Sequence, residues 1–181
     1  MTEETLLEQL KERNEAAFRW LVETYQDKVY NTVLSIFQHE SEAEDVAQEV
    51  FIKIFESIHS FRAESSLATW IYRISVHKAL DRLRKKKTRE KLAVVFLWIK
   101  EPEEIFYHPG VMLDRKEKAA LLFIAIRQLP EKQQVAFTLV KVQGMSYEEV
   151  SAIMSQSVKS IESLISRAKI NLQKYLEKHR I

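Results

Sequence analysis

The sequence predicts an all-α protein of two small helical domains joined by a linker, the C-terminal one containing a helix-turn-helix. Three observations predict it. Only Gly110, Gly144, Pro102, Pro109 and Pro130 interrupt 181 residues, and glycine and proline are the main breakers of helical periodicity. Apolar residues recur at spacings of three and four on both sides of a central gap, the period of one helix face. The gap itself, from Thr88 to Met112, loses that period and holds Pro102 and the turn signal Pro109-Gly110. A length of 181 residues suits two small domains, and 46% apolar with 30% charged residues is enough to bury cores beneath a solvated surface.

Taken in order, Phe18, Leu21, Val22, Tyr25, Val29, Val33, Leu34 and Phe37 mark a helix over 17–37. Ser41 and Glu44 read as a capping box. They open a second helix over about 42–59, with the stripe Val46, Val50, Phe51, Ile54, Phe55 and Ile58. The polar stretch 60–66 separates it from a third helix through Leu67, Trp70, Ile71, Ile74 and Leu80. Three such helices enclose one small core, giving a first domain over 1–90 and a linker over 91–113. The apolar patch at 93–99, AVVFLWI, reads as a short helix or strand docked on a neighbouring domain. The second domain, 114–181, has four expected helices: 113–129, one from Pro130 closed by Gly144, one from the capping box Ser146/Glu149 to about Met154, and one capped by Ser157 and running to about Lys178.

Composition excludes several functions. Without cysteine there is no disulfide framework, thiolate zinc site or cysteine nucleophile. No glycine-rich phosphate loop occurs, and the five histidines lack metal-ligand spacing. No catalytic residue, metal or cofactor is therefore expected, and the protein is not read as an enzyme. The acidic start MTEETLLEQLKERNEAAF has no signal-peptide character, and no run approaches the roughly 18 apolar residues of a membrane span. A cytoplasmic protein without direct membrane insertion is expected.

Charge is segregated along the chain. Residues 1–60 carry 13 acidic and 5 basic side chains, whereas 71–91 carry nine basic ones against Asp81 and Glu90. Two oppositely charged surfaces imply two partners. The basic run, dense from Arg82 to Lys87, suits phosphate neutralisation, and Phe61, Trp70 and Tyr72 upstream could stack on unpaired bases or simply fill the core. The acidic helix with Asp45, Gln48 and Glu49 repels DNA and suits a basic protein surface or water. In 146–176, Val150, Ile153, Met154, Val158, Ile161, Leu164, Ile165 and Ala168 make two amphipathic helices across a short turn, the helix-turn-helix pattern. The solvent face of the second helix carries Lys159, Ser160, Glu162, Ser163, Ser166, Arg167 and Lys169, residues able to meet phosphates and base edges in a major groove.

The segments DVAQEVFIKIFESIHSFRAESSLATWIYRISVHKALDRLRKKK and LPEKQQVAFTLVKVQGMSYEEVSAIMSQSVKSIESLISRAKINLQKYL closely resemble the extracytoplasmic-function (ECF) sigma factors, group IV of the sigma-70 family. The resemblance implies a first domain, region 2, whose DxxQE motif (Asp45, Gln48, Glu49) docks on the beta-prime clamp of core RNA polymerase. It implies a -10 reader at Phe61, Ser65, Ser66, Trp70, Arg73 and His77, backed by Arg82, Arg84 and Lys85, where a flipped base is captured and DNA melted. His77 stands where asparagine is common in the family. It also implies a region 4 that meets the polymerase beta flap and reads the -35 element with Lys159, Ser160, Glu162, Ser163, Ser166 and Arg167. Glu162 and Leu164 replace residues that are commonly basic, which points to a nonstandard -35 sequence and a reduced salt slope. Promoter DNA and an anti-sigma factor are the remaining implied partners, the patch at 93–99 being available to the latter. The alternatives weighed against a sigma factor are a helix-turn-helix regulator acting without polymerase and a sigma-like decoy that starts no transcripts.

Overall fold

The computed structural model describes residues 3–96 and 116–178, with side chains described at 3–89 and 121–178. The described residues are helical and contain no strand. The first domain comprises α1 (Glu3–Lys11), α2 (Glu15–Phe37), α3 (Glu40–Ser57), a 3-10 turn (Ile58–Ser60) and α4 (Leu67–Phe96). The second comprises α5 (Lys116–Arg127), α6 (Glu131–Phe137), a π-helical turn (Thr138–Val142), α7 (Tyr147–Met154) and α8 (Val158–Lys178).

Helices α2, α3 and α4 form the first bundle. Leu21, Leu34, Ile54, Ile58, Leu67 and Ile71 are among its fully buried large side chains, each stabilising it by roughly 1.5–3 kcal/mol relative to exposure. The expected apolar stripes supply most of this core. Phe55 departs from it: it is partly exposed, edge-on to Phe18 at 4.8 Å and covered by the Arg13 guanidinium 5.2 Å from its ring centroid. α1 is a separate helix ahead of the 17–37 pattern, and Asn14 ends the break by capping α2 through Ala17 N–H at 3.1 Å.

The box expected at Ser41/Glu44 does not form. The cap of α3 is His39, which makes no side-chain capping bond, so Ser41 already lies in the first helical turn, its hydroxyl 3.3 Å from His39 Nδ1. The cause is the tight junction: Gln38 ends α2 in the left-handed conformation (φ 57°) and its N–H returns to Leu34 O at 2.7 Å, leaving one residue before α3 begins. The long α4 also runs into the segment read as linker, keeping residues 91–96 helical. The remainder of the expected linker, including Leu97 to Ile99 of the apolar patch, and the expected start of the next helix at Leu113 lie outside the described residues.

In the second domain, Ile126, Leu139, Val150, Ile161, Ile165 and Ala168 are buried where α6, α7 and α8 meet. The helix opened at Pro130 gives way to the π-helical turn and ends at Gly144, whose φ of 71° suits glycine. Ser146 and Glu149 form the complete capping box: Glu149 N–H donates to Ser146 Oγ at 3.1 Å and Ser146 N–H to Glu149 Oε2 at 2.7 Å. Such a cap contributes about 1 kcal/mol.

Candidate nucleic-acid interface

In the second domain, α7 and α8 are joined by the turn at Ser155–Ser157. Ser155 adopts φ 52° where glycine is frequent, and Ser157 Oγ accepts Ser160 N–H at 3.2 Å to start α8. Burial of Ile161, Leu164, Ile165, Ala168 and Leu172 fixes the rotation of α8. The opposite face therefore carries Lys159, Glu162, Ser163, Ser166 and Arg167 exposed to solvent, with Ser160 half-buried beneath Gln156, to whose Oε1 its hydroxyl donates at 2.7 Å. Arg167 lies along its own helix, donating from Nη2 to Ser163 Oγ at 3.0 Å. This is a continuous, solvent-facing strip of small and charged side chains, the form required to enter a major groove. Leu164, 6% exposed, is a core residue of α8 on the face opposite the strip, so the reduced salt slope expected from it does not follow.

The segment of the first domain expected to read the -10 element is arranged differently. Phe61 is 5% exposed and packs on Trp70 at 5.2 Å between ring centroids, so in this conformation it belongs to the core and offers no ring to a base. Ser65 is half-buried, while Ser66 and His77 are exposed. Ser66 caps the start of α4, accepting Thr69 N–H at 3.2 Å. A further cap is unforeseen: Leu67 N–H donates to Glu3 Oε1 at 2.8 Å. The long-range pairing of Glu3 with Leu67 leaves no trace in periodicity, so sequence reasoning missed it.

The basic run is largely spoken for inside the chain. Glu42 of α3 pairs with Arg82 at 3.3 Å and Lys86 at 3.1 Å. Glu49 pairs with Lys78 at 3.2 Å and Arg82 at 3.8 Å. Partial burial works against ionisation of Glu42, but Lys86 and Arg82, with His39 nearby, outweigh it and hold its carboxyl below the usual value. Arg84 pairs with Asp81 and with Glu131 of the second domain. Lys85, Lys87 and Arg89 are exposed.

On α3, Asp45 and Gln48 are exposed. Ile52, 58% exposed, follows them at helical spacing and extends the same face with an apolar side chain. Sequence reasoning missed Ile52, although its place off the buried stripe was the available signal. Glu49 sits at the margin, turned toward α4. No group of acidic, histidine or cysteine side chains among the described residues could hold a metal ion, and no helix among them is long and apolar enough to cross a membrane.

A helix-turn-helix with an exposed face on its second helix, beside a second bundle that carries a basic helix, has the form of a two-domain DNA-binding protein. Sigma-70 region 2 matches residues 21–89 and Sigma-70 region 4 matches residues 113–172. The chain is 35% identical over 176 residues to the ECF RNA polymerase sigma-E factor of Escherichia coli, covering 93% of this chain and 91% of that one. It is 33% identical over 175 residues to its namesake from Haemophilus influenzae, covering 93% and 92%. The RNA polymerase sigma-H factor of Pseudomonas aeruginosa is 32% identical over 184 residues, covering 97% and 94%. Among solved structures, the sigma factor RpoE in complex with the anti-sigma factor NepR from Bartonella quintana superposes with a TM-score of 0.66 at 25% identity, over 88% of this chain and 96% of that one. CnrH in complex with the cytosolic domain of CnrY shares the fold at 21% identity, with a TM-score of 0.69 and 97% of both chains covered. The chain belongs to the ECF sigma factors of the sigma-70 family, which sets aside the regulator acting without polymerase.

Proposed function

We propose that this protein binds core RNA polymerase in the cytoplasm and directs it to promoters, reading the -35 element with α8 and opening DNA at the -10 element with the start of α4. The observation that carries this reading is the separation of three surfaces on one chain: the exposed face of α8, the reader segment at 61–77, and the exposed α3 face of Asp45, Gln48 and Ile52. A regulator acting alone has no use for the third. Asp45 and Gln48 meet the basic and polar surface of the beta-prime clamp, and Ile52 adds an apolar contact; Glu49 orients Lys78 and Arg82 as well as bordering the clamp. The second domain meets the beta flap. Trp70, Arg73 and His77 face the melted strand, while Arg82 and Arg84 join Lys85 near the phosphates once their present partners release them. Lys159, Ser160, Glu162, Ser163, Ser166 and Arg167 read the -35 duplex, with Glu162 selecting a cytosine amino group. An anti-sigma factor is the natural inhibitor.

Transcription in vitro tests this. Added to purified core polymerase and fragmented DNA from its source, the protein should produce discrete new 5′ ends that share sequence elements at -35 and -10. Polymerase that stays silent while the protein alone retains particular fragments would overturn the proposal.

A further inference from the structure

Two arginines of the proposed -10 surface are held by the second domain. Arg73 donates to the carbonyl of Ala152 from Nε at 3.0 Å and from Nη2 at 2.6 Å. Ala152 is in the last turn of α7, where its carbonyl accepts only the Ser155 N–H at 3.4 Å from the backbone and the helix dipole favours a cation. Arg84 forms a two-pronged pair with Glu131 at the start of α6, Nε to Oε2 at 3.0 Å and Nη2 to Oε1. Between these clasps, Gln134, 1% exposed, donates to Ile36 O at 2.9 Å, and Thr32 Oγ1 meets Gln143 Oε1 at 3.2 Å. The recognition face of α8 stays exposed, outside these contacts.

We infer that the end of α7 and the start of α6 form an internal docking surface for the -10 reader, competing with melted DNA for Arg73 and Arg84. The chemistry suits such competition, because a carbonyl at a helix end and a carboxylate offer a guanidinium what a DNA phosphate offers. Alongside the buried apolar cluster that runs through both domains, the hydrogen bonds and ion pair between them are exchangeable polar contacts, as in domain interfaces that open and close. Nearby, the buried Gln143 Nε2 and Thr138 Oγ1 and both polar side-chain atoms of Gln38 have no hydrogen-bond partner, an uncompensated cost of closure. In the docked form the chain exposes its -35 strip and withholds its -10 arginines, so duplex engagement precedes melting.

The inference rests on Arg73 and Arg84 contacting DNA, and the experiment separates that premise from docking itself. Because the chain has no cysteine, Glu23→Cys and Lys174→Cys place one spin label on the exposed surface of each domain, away from the proposed reading faces. The distance between labels should form one narrow population in the free protein. It should broaden on adding Glu131→Gln with Gln134→Ala, and equally when a random-sequence single-stranded DNA pool is added to the otherwise unaltered chain. Without labels, the Glu131→Gln/Gln134→Ala protein should bind that pool about tenfold more tightly, the occluded state having been removed. Glu177→Gln, an exposed carboxylate elsewhere on the same domain, controls for charge, and a thermal melt controls for folding. A broad distance distribution in the free protein would overturn the docking. A narrow one that DNA leaves unchanged, with affinities equal after the charge correction, would retain the docking and overturn the competition.

Discussion

The two regions proposed to read DNA handle charge in opposite ways. On α8 the reading face is sparse in cations, yet its Lys159, Glu162 and Arg167 stand exposed to solvent. On α4 cations are dense, yet Lys78, Arg82 and Lys86 are zipped to Glu42 and Glu49, and Arg73 and Arg84 are clasped by the second domain. A basic run is therefore a poor measure of free positive potential: what counts is how many of its charges lack an internal partner. Glu42 and Glu49 turn part of the segregated charge into pairing of α3 with α4, while Asp45 and Gln48 stay exposed.

The largest expected effect tests that remainder. Asp45→Lys should weaken binding to core polymerase by about 3 kcal/mol, roughly a hundredfold, in a fluorescence titration, with the melting curve unchanged because Asp45 is exposed. Glu49→Lys, in contrast, should lower thermal stability as well, because it sets a cation against Lys78 and Arg82. Equal behaviour of the two variants would erase the distinction drawn between free and zipped carboxylates.

Trp70→Ala should destabilise the first domain by about 2 kcal/mol, less than a fully buried tryptophan would, because Trp70 is only half-buried against Phe61. At temperatures where the variant remains folded, promoter opening, read by permanganate reactivity of unpaired thymines, should fall further than initial promoter binding. Parallel losses would mean that the ring serves the core alone. On the open side, Arg167→Ala should cost about 1–2 kcal/mol at a cognate -35 site, since its bonds to Ser163 must first be surrendered. Promoter strength indifferent to this change would remove Arg167 from the reading face.

The smallest effect concerns pH. The Glu42 carboxyl is lowered in the folded state from its usual 4.5. Its pairing thus stabilises the bundle fully above that value, and the contribution disappears as pH falls through the lower folded one. Urea midpoints measured from pH 6 down to pH 3 should fall more steeply in the native chain than in Glu42→Gln, by less than about 1 kcal/mol. Identical slopes would show that the zipper carries no stability.

Much of the architecture was legible because burial on a helix obeys a period. The stripes through Leu21, Ile54 and Ile71, the Ser146/Glu149 box and the rotation of α8 all follow from local spacing. What escaped depends on contacts between distant residues. Nothing near Ser41 reveals that the tight junction at Gln38 moves the cap of α3 to His39. Nothing near Leu67 reveals Glu3. Phe61, whose type fits both base stacking and core, could be placed only by seeing Trp70 against it. Ile52 needed the rotation of α3, which its neighbours Val50 and Ile54 already define.

The unbroken run of α4 from Leu67 to Phe96 has a mechanical consequence. Thirty helical residues make a rod of about 45 Å, with Trp70 and Arg73 near one tip and the basic run from Arg82 to Arg89 toward the other. Such a rod does not absorb a pull by uncoiling; it turns as a lever. A displacement of its C-terminal half is thereby delivered as a rotation at Trp70 and at Arg73, which holds the Ala152 carbonyl of the second domain.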